Sequence, residues 1–347
     1  MQKTILVLFL CLCLQACNYR EHAKALQSQS QLEQAQTFID RREFFQAEEM
    51  IGKAIKTLDQ LLVKESDNVD YLLLRARAHY LFFLSKNITV MERAAPQANS
   101  LVKIPQFSEY IDFELNTEPA KKDLQKVLIL QSKNEQRAVA RTLLGNLLGL
   151  DAQSALDADE QYQKAIFHYK EQSREIDREN KIGKRRYAKQ EIQEKIKSIM
   201  MSRAEVLLLA QEWKKALAVL QEHMAGNDLK YFSVHFTLLE NKIHALEKRL
   251  EDNKKRSAES REAKLSQVLE KIRQKNPEKS RSEVLNPIEL ELLSTEEQLT
   301  ETKNNLIYRM ICYFQIKDQK NLKASEEIFR SFYPQLHKKI KIALEQK

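Results

Sequence analysis

The sequence predicts an all-α fold, and three observations carry that expectation. Only 5 Gly and 6 Pro occur in 347 residues, too few for the turns of a sheet protein, whereas the strong helix formers Leu, Ala, Lys, Glu and Gln abound. Apolar residues recur at i, i+3, i+4 over most of the chain. Small residues also recur twelve positions apart across short polar breaks, at Ala35 and Ala47, Ala204 and Ala216, and Cys312 and Ala324. The stretch 202–224 shows the unit most clearly. Ala204, Leu207 and Leu208 form one helix face, Gln211-Glu212 a break, and Ala216, Leu217, Val219 and Leu220 a second face, with Trp213 beside them. Such a hairpin cannot bury both of its sides alone and needs similar neighbours.

The first sixteen residues read as an address. Lys3 is a minimal positive region, residues 4–14 are an apolar run too short to span a bilayer, and Leu14-Gln15-Ala16-Cys17 follows at once. This resembles a bacterial lipoprotein signal with its lipobox. The resemblance implies cleavage before Cys17, diacylglycerol on its sulfur, acylation of its amino group, and an anchor stable because several chains share it. Asn18, in place of Asp, resembles the enteric sorting pattern for the outer membrane, facing the periplasm. An ordinary secretory signal and an uncleaved signal anchor stay open as alternatives. Cleavage would lower the formal charge from +8 to +7 and remove Cys11 and Cys13. With Cys17 alkylated, Cys312 is the one thiol left, so no intramolecular disulfide is expected.

The mature chain is expected to begin with a polar tether at 17–31 that turns helical near Leu26, and helical repeats with an insert at 86–119 are expected over 32–250. In the first unit Ala35, Phe38 and Ile39 face Phe44, Ala47, Ile51, Ala54 and Leu58 across Arg41-Arg42-Glu43. This resembles the tetratricopeptide (TPR) repeat, a helix-turn-helix of about 34 residues, and the resemblance implies a solenoid of about five hairpins with a concave groove. The second unit joins a helix at 71–83 to another at 120–130. Its insert carries Pro96, Pro105 and Pro119, read as helix terminators, and the apolar residues Ile104, Phe107, Tyr110, Ile111, Phe113 and Leu115. These side chains either fill the groove or contact a partner. The third unit runs through Arg141-Thr142-Leu143-Leu144-Gly145-Asn146 to Ala158, Tyr162 and Ala165. Residues 168–197 are expected as one long solvated helix, with seven cations against Glu191 and Glu194 over 181–197; a basic face contacting lipid phosphates or an acidic protein is the alternative.

After the fourth unit Gly226-Asn227-Asp228 reads as a stop, and residues 229–250 are again apolar at helical spacing. Residues 247–283 carry twelve Lys or Arg and eight Asp or Glu. The segment 251–286 therefore reads as a charged linker or arm, either mobile or a solvated helix. Asn286-Pro287 opens the C-terminal helices, 287–347, where Lys338-Lys339-Ile340-Lys341 suits a helix C-terminus. An irregular bundle with a coiled-coil arm over 239–272 is the alternative architecture.

For function the resemblance implies a groove for a protein or peptide partner. Asn146 matches the family's backbone-binding asparagine, with Thr142 one turn before it and Glu205 on the next unit; Phe107 and Tyr110 are candidates in the insert. An exposed Asn146 with no ligand is the plainer reading. Thr142 stands where some relatives have a carboxylate-clamping lysine, so that clamp is not reproduced. No catalytic, metal or cofactor site is expected. There is no glycine-rich phosphate loop, and His223, His235 and His244 lack ligand spacing. Glu240 is expected to meet His244 at i, i+4, and Ser100-Leu101-Val102-Lys103 lacks the companion motifs of penicillin-interacting enzymes. A charge of +8 is moderate for this length and marks no nucleic-acid stripe. The expected protein is a lipid-anchored, non-enzymatic envelope adaptor without a nucleic-acid or small-molecule ligand. The alternatives are a spacer acting through its arm and an envelope hydrolase.

Overall fold

The computed structural model describes residues 2–94, 113–150, 153–178, 182–224, 229–272 and 287–345. Within these, the side chains of 2–20, 88–94, 113–116, 182–187, 230, 253–272, 287–290, 293, 339 and 341–345 lie outside the description. The described residues form α-helices and no strand, so the fold is all-α. Two compact units divide at 219/220.

The first unit contains α1 (Gln2–Asp40), α2 (Phe44–Lys64), α3 (Val69–Ala94), α4 (Phe113–Ile129), α5 (Asn134–Leu148), α6 (Ala155–Arg178) and α7 (Ile182–Leu209), and most of α8 (Trp213–His223). Each of α1 to α6 packs on the next, and the odd-numbered helices also meet, α1 with α3 and α3 with α5. Ala35, Ala47, Ala204 and Ala216 are fully buried. Their missing side-chain bulk permits close helix contact while leucines and aromatics fill the flanks.

A three-residue turn recurs. Arg42 N donates to Ile39 O at 2.9 Å and Glu43 N to Phe38 O at 2.8 Å; Gln211 and Glu212 repeat this on Leu208 and Leu207, and Lys317 and Asp318 on Phe314 and Tyr313. The middle residues have φ of 62°, 59° and 62°. These are left-handed caps of the Schellman type, which satisfy the orphan carbonyls at a helix end and usually employ glycine. Arg42, Gln211 and Lys317 carry Cβ strain there instead. Each replacement by Gly is expected to raise stability by about 0.5–1 kcal/mol, checked by urea unfolding.

The same turns correct the register of the last unit. Aligning Lys317 with Arg42 and Gln211 places Met310 and Leu322 where the other hairpins have their alanine pairs. Met310 and Leu322 are buried, whereas Ala324 is half-exposed. Cys312 and Ala324 are twelve apart, yet only Cys312 is buried, because a spacing does not by itself specify which face meets the partner helix.

Further expectations change. The presumed tether is helical throughout α1, because its Gln/Ser-rich sequence hides a buried stripe of Ala25, Ser28, Leu32, Ala35 and Ile39. The helix of the second unit does not stop at 83 but runs to Ala94, and α4 starts at Phe113 with Pro119 inside it. Thr117 and Ala120 are buried beside that proline, so tertiary packing overrides a residue that ordinarily breaks a helix. Residues 95–112, between them in the chain, lie outside the described residues. The stretch 168–197 is not one solvated helix: α6 ends at Arg178, α7 starts at Ile182, and Ile192, Ile196, Ile199 and Met200 are buried.

The second unit takes in the end of α8, α9 (Lys230–Ile272), α10 (Pro287–Gln315), α11 (Gln319–Phe332) and α12 (Pro334–Glu345). Its core is aromatic: Phe236 lies 5.3 Å from both Phe332 and Tyr333, ring centre to ring centre. The charged stretch is helical as far as Ile272, and Asn276-Pro277 lies outside the described residues. Lys338-Lys339-Ile340-Lys341 sits in the middle of α12, not at its last turn, with Ile340 buried.

Candidate functional site

Thr142 and Asn146 stand one turn apart on α5, and Glu205 is on α7. The Thr142 hydroxyl donates to Ala138 O in its own helix at 2.9 Å. Asn146 is half-buried and is not the exposed, idle residue of the plainer reading: its Oδ1 accepts from Tyr162 Oη at 2.9 Å. Gly145 makes this bond possible. A Cβ at position 145 would lie 2.6 Å from Tyr162 Cε1, so the ring occupies the space that a side chain would need. Burial pushes the Tyr162 hydroxyl well above its usual pKa, with Tyr80 and Glu205 adding to the shift and the Ser202 hydroxyl opposing it. The phenol thereby ties α6 to α5 at Asn146. Gly149 brings α5 equally near α7, since a Cβ there would be 2.7 Å from Val206 Cγ1.

Phe107 and Tyr110 lie outside the described residues, as do Ser100 and Lys103. Leu14, Gln15, Ala16 and Cys17 fall on the helical backbone of α1, their side chains outside the description. No described helix is long and apolar enough to cross a membrane. Among the described residues no group of three or more His, Cys, Asp or Glu is placed to hold a metal ion. The expected Glu240–His244 contact is not made. Glu240 accepts from Tyr333 Oη at 3.0 Å, and His244 Nδ1 is 3.3 Å from Glu247.

No family model, curated protein or solved structure matches the chain.

Two polar clusters escaped the sequence reading. Arg75 of α3 forks onto Asp123 of α4 at 2.8 and 2.7 Å and reaches Asp59 of α2 at 2.8 Å. These residues line a cleft of about 320 Å³ with Leu62, Leu72 and Lys126. In the second unit the fully buried Arg309 of α10 donates to Leu220 O at 2.7 Å, Met224 O at 3.2 Å and Asn305 Oδ1 at 2.8 Å. Arg309 had a visible signal, a lone charge within the apolar run 306–314, whereas Arg75 shares its stretch with Arg77 and His79 and had none.

Cys312, beside Arg309, is buried and its pKa is pushed up to about 12 by that burial, the arginine's charge opposing. An unfolded thiol ionises near about 8.5, so above that value the folded chain holds a proton that the unfolded chain has lost. Stability is expected to fall with rising pH from about 8.5, approaching about 1.4 kcal/mol per pH unit before tyrosines begin to titrate near about 10. Unfolding of the native chain and of Cys312→Ala over this range checks it, the variant losing that slope.

Proposed function

We propose that the chain is a lipid-anchored helical-repeat adaptor of the bacterial cell envelope, held in the outer membrane by acyl groups on Cys17 and facing the periplasm. It binds a protein or peptide partner along its odd-numbered helices, without catalysis of its own. The observation that carries this reading is the repeated hairpin. The same three-residue turn closes α1–α2 and α7–α8, and α1, α3 and α5 pack in succession with the intervening helices between them. That succession supports a TPR-like solenoid whose first helices present Thr142, Asn146 and Glu205 along one groove. The Tyr162 bond fixes the Asn146 carboxamide by its oxygen, leaving the amide group to donate to a partner's backbone carbonyl. A side chain pre-oriented in this way loses less entropy on binding than a free one.

The test is photo-crosslinking in intact cells with a reactive residue at position 205, in the parent and in Asn146→Leu, together with fatty-acid labelling of Cys17→Ser. A discrete crosslinked partner that weakens with Asn146→Leu, and a lipid label that vanishes with Cys17→Ser, support the proposal. Crosslinks indifferent to Asn146 remove the groove from it, and label that persists in Cys17→Ser removes the anchor.

The continuity of α9 to Ile272 favours one other reading, a spacer whose charged arm makes the contact. Deleting 251–286 separates them. The groove crosslink survives under the adaptor reading and disappears under the spacer reading.

A further inference from the structure

The two most exposed large apolar side chains among the described residues stand at one end of the first unit. Val63, 86% exposed, is in the last turn of α2, and Ile129, 84% exposed, closes α4. Polar contacts fix their common level. Lys64 pairs with Glu21 of α1 at 2.6 Å, and Lys126 donates to Ser66 O in the α2–α3 turn at 2.6 Å and pairs with Asp67 at 2.8 Å. Gln136, at the start of α5, donates to Asp70, at the start of α3, at 2.7 Å. Val63 and Lys126 also line one cleft, and Ile129 lies one turn beyond Lys126.

The N-terminal segment leaves the unit at that same end. Cys17 precedes Glu21 by four residues in α1, about 6 Å along the helix axis, and the apolar run 4–14 lies further out still. Whatever attaches this segment to a bilayer, acyl chains on Cys17 or the run itself, therefore brings Val63 and Ile129 within reach of the bilayer surface. The charges there suit an apolar contact. Lys64 and Lys126 are matched by Glu21 and Asp67, so the two side chains sit among paired charges and not on a basic patch drawn to anionic lipid.

We infer that Val63 and Ile129 make a second contact with the phospholipid bilayer, entering its interface so that the α2–α3 and α4–α5 turns of the first unit face the membrane. This rests on the membrane attachment proposed above. Two side chains bury too little apolar surface to hold the protein on a membrane by themselves. An anchor makes their contact intramolecular, where a small gain is enough to set an orientation.

The test places a benzophenone amino acid at position 63, 129 or 45 of the full chain in intact bacterial cells. Adducts formed on irradiation are identified by mass, and each variant is labelled with fatty acid in parallel. Phe45, 80% exposed but in the first turn of α2 and so at the opposite end, is the control. Phospholipid adducts are expected at 63 and 129 in at least tenfold greater yield than at 45, and Ile129→Asn is expected to lower the yield at 63 at least threefold with the helical circular dichroism unchanged. A yield at 63 indifferent to Ile129→Asn overturns the inference as proximity without insertion, and equal yields at all three positions overturn it as unoriented contact. Adducts to a protein at 63 and 129 overturn it in favour of a protein-docking surface. Fatty-acid label without lipid adducts at 63 and 129 overturns this inference alone; loss of both overturns the acyl anchor as well. Lipid adducts without label support the inference, with the run 4–14 as the anchor.

Discussion

Replacing Arg309 by Met is expected to lower the stability of the chain by about 3 kcal/mol, because two buried acceptors and one partly buried acceptor each lose a donor at about 1 kcal/mol or more. Arg309 has no solvent exposure. Its donors go to the carbonyls of Leu220 and Met224 and to Asn305 Oδ1, and the guanidinium carbon lies 5.0 Å from the Phe232 ring centre. Leu220 and Met224 are at the C-terminal end of α8, where unpaired carbonyls carry partial negative charge. The cation is therefore held substantially by a helix end.

The arrangement extends outward in a determined order. Asn305 receives Arg309 on its oxygen, so its nitrogen faces Leu220 O at 3.2 Å and His223 Nδ1 at 3.3 Å. His223 Nδ1 is then an acceptor, Nε2 carries the proton, and Nε2 donates to Glu301 at 2.8 Å. Methionine fills much of the space but supplies no donor. Lysine retains the charge without the fork, so Arg309→Lys is expected to lose less than Met and still fall short of the parent. Urea unfolding measures both, and a loss under about 1 kcal/mol for Arg309→Met would show that water replaces the guanidinium.

The second large effect is expected at Arg75 and Asp123, and its signature is non-additivity. Asp123 is 4% exposed, and its hydrogen bonds, opposed by burial, hold the Arg75 guanidinium still more firmly protonated. Arg75→Met leaves that carboxylate buried without its cation, at a cost of about 3–5 kcal/mol. Asp123→Leu costs less, about 2–3 kcal/mol, because Arg75 keeps Asp59, which is half-exposed. In the double variant neither charge is stranded, and stability is expected to return to within about 1–2 kcal/mol of the parent. A double-mutant cycle by urea unfolding reports the coupling. Simple addition of the two losses would mean that the pair holds its helices together only as hydrophobic packing does.

Much of the helical layout was legible before any coordinates. The breaks at Arg41-Arg42-Glu43 and Gln211-Glu212 lie between helices, since a polar run between two apolar faces leaves the chain little else to do. Pro287 begins α10, where its missing N–H costs nothing. The left-handed residue of each turn was not legible, because Arg42, Gln211 and Lys317 are not the glycines that such positions favour. At the candidate site the chain's order showed Gly145 and Asn146 but not what they serve. Tyr162 lies in another helix, and only the packing of α6 on α5 brings its ring over Gly145 and its hydroxyl to Asn146.

The amino-acid sequence by itself determined that this chain is helical, where most helices lie and which stripes are apolar, because backbone propensity and the 3.6-residue period are local properties. Only the tertiary structure decided that Pro119 stays inside a helix, that Met310 rather than Cys312 takes the small-residue register, that Asp123 is buried against Arg75, and that Arg309 is buried. Each of those outcomes depends on an acceptor, a cavity or a neighbouring helix brought from elsewhere in the chain, and no local pattern encodes such a partner.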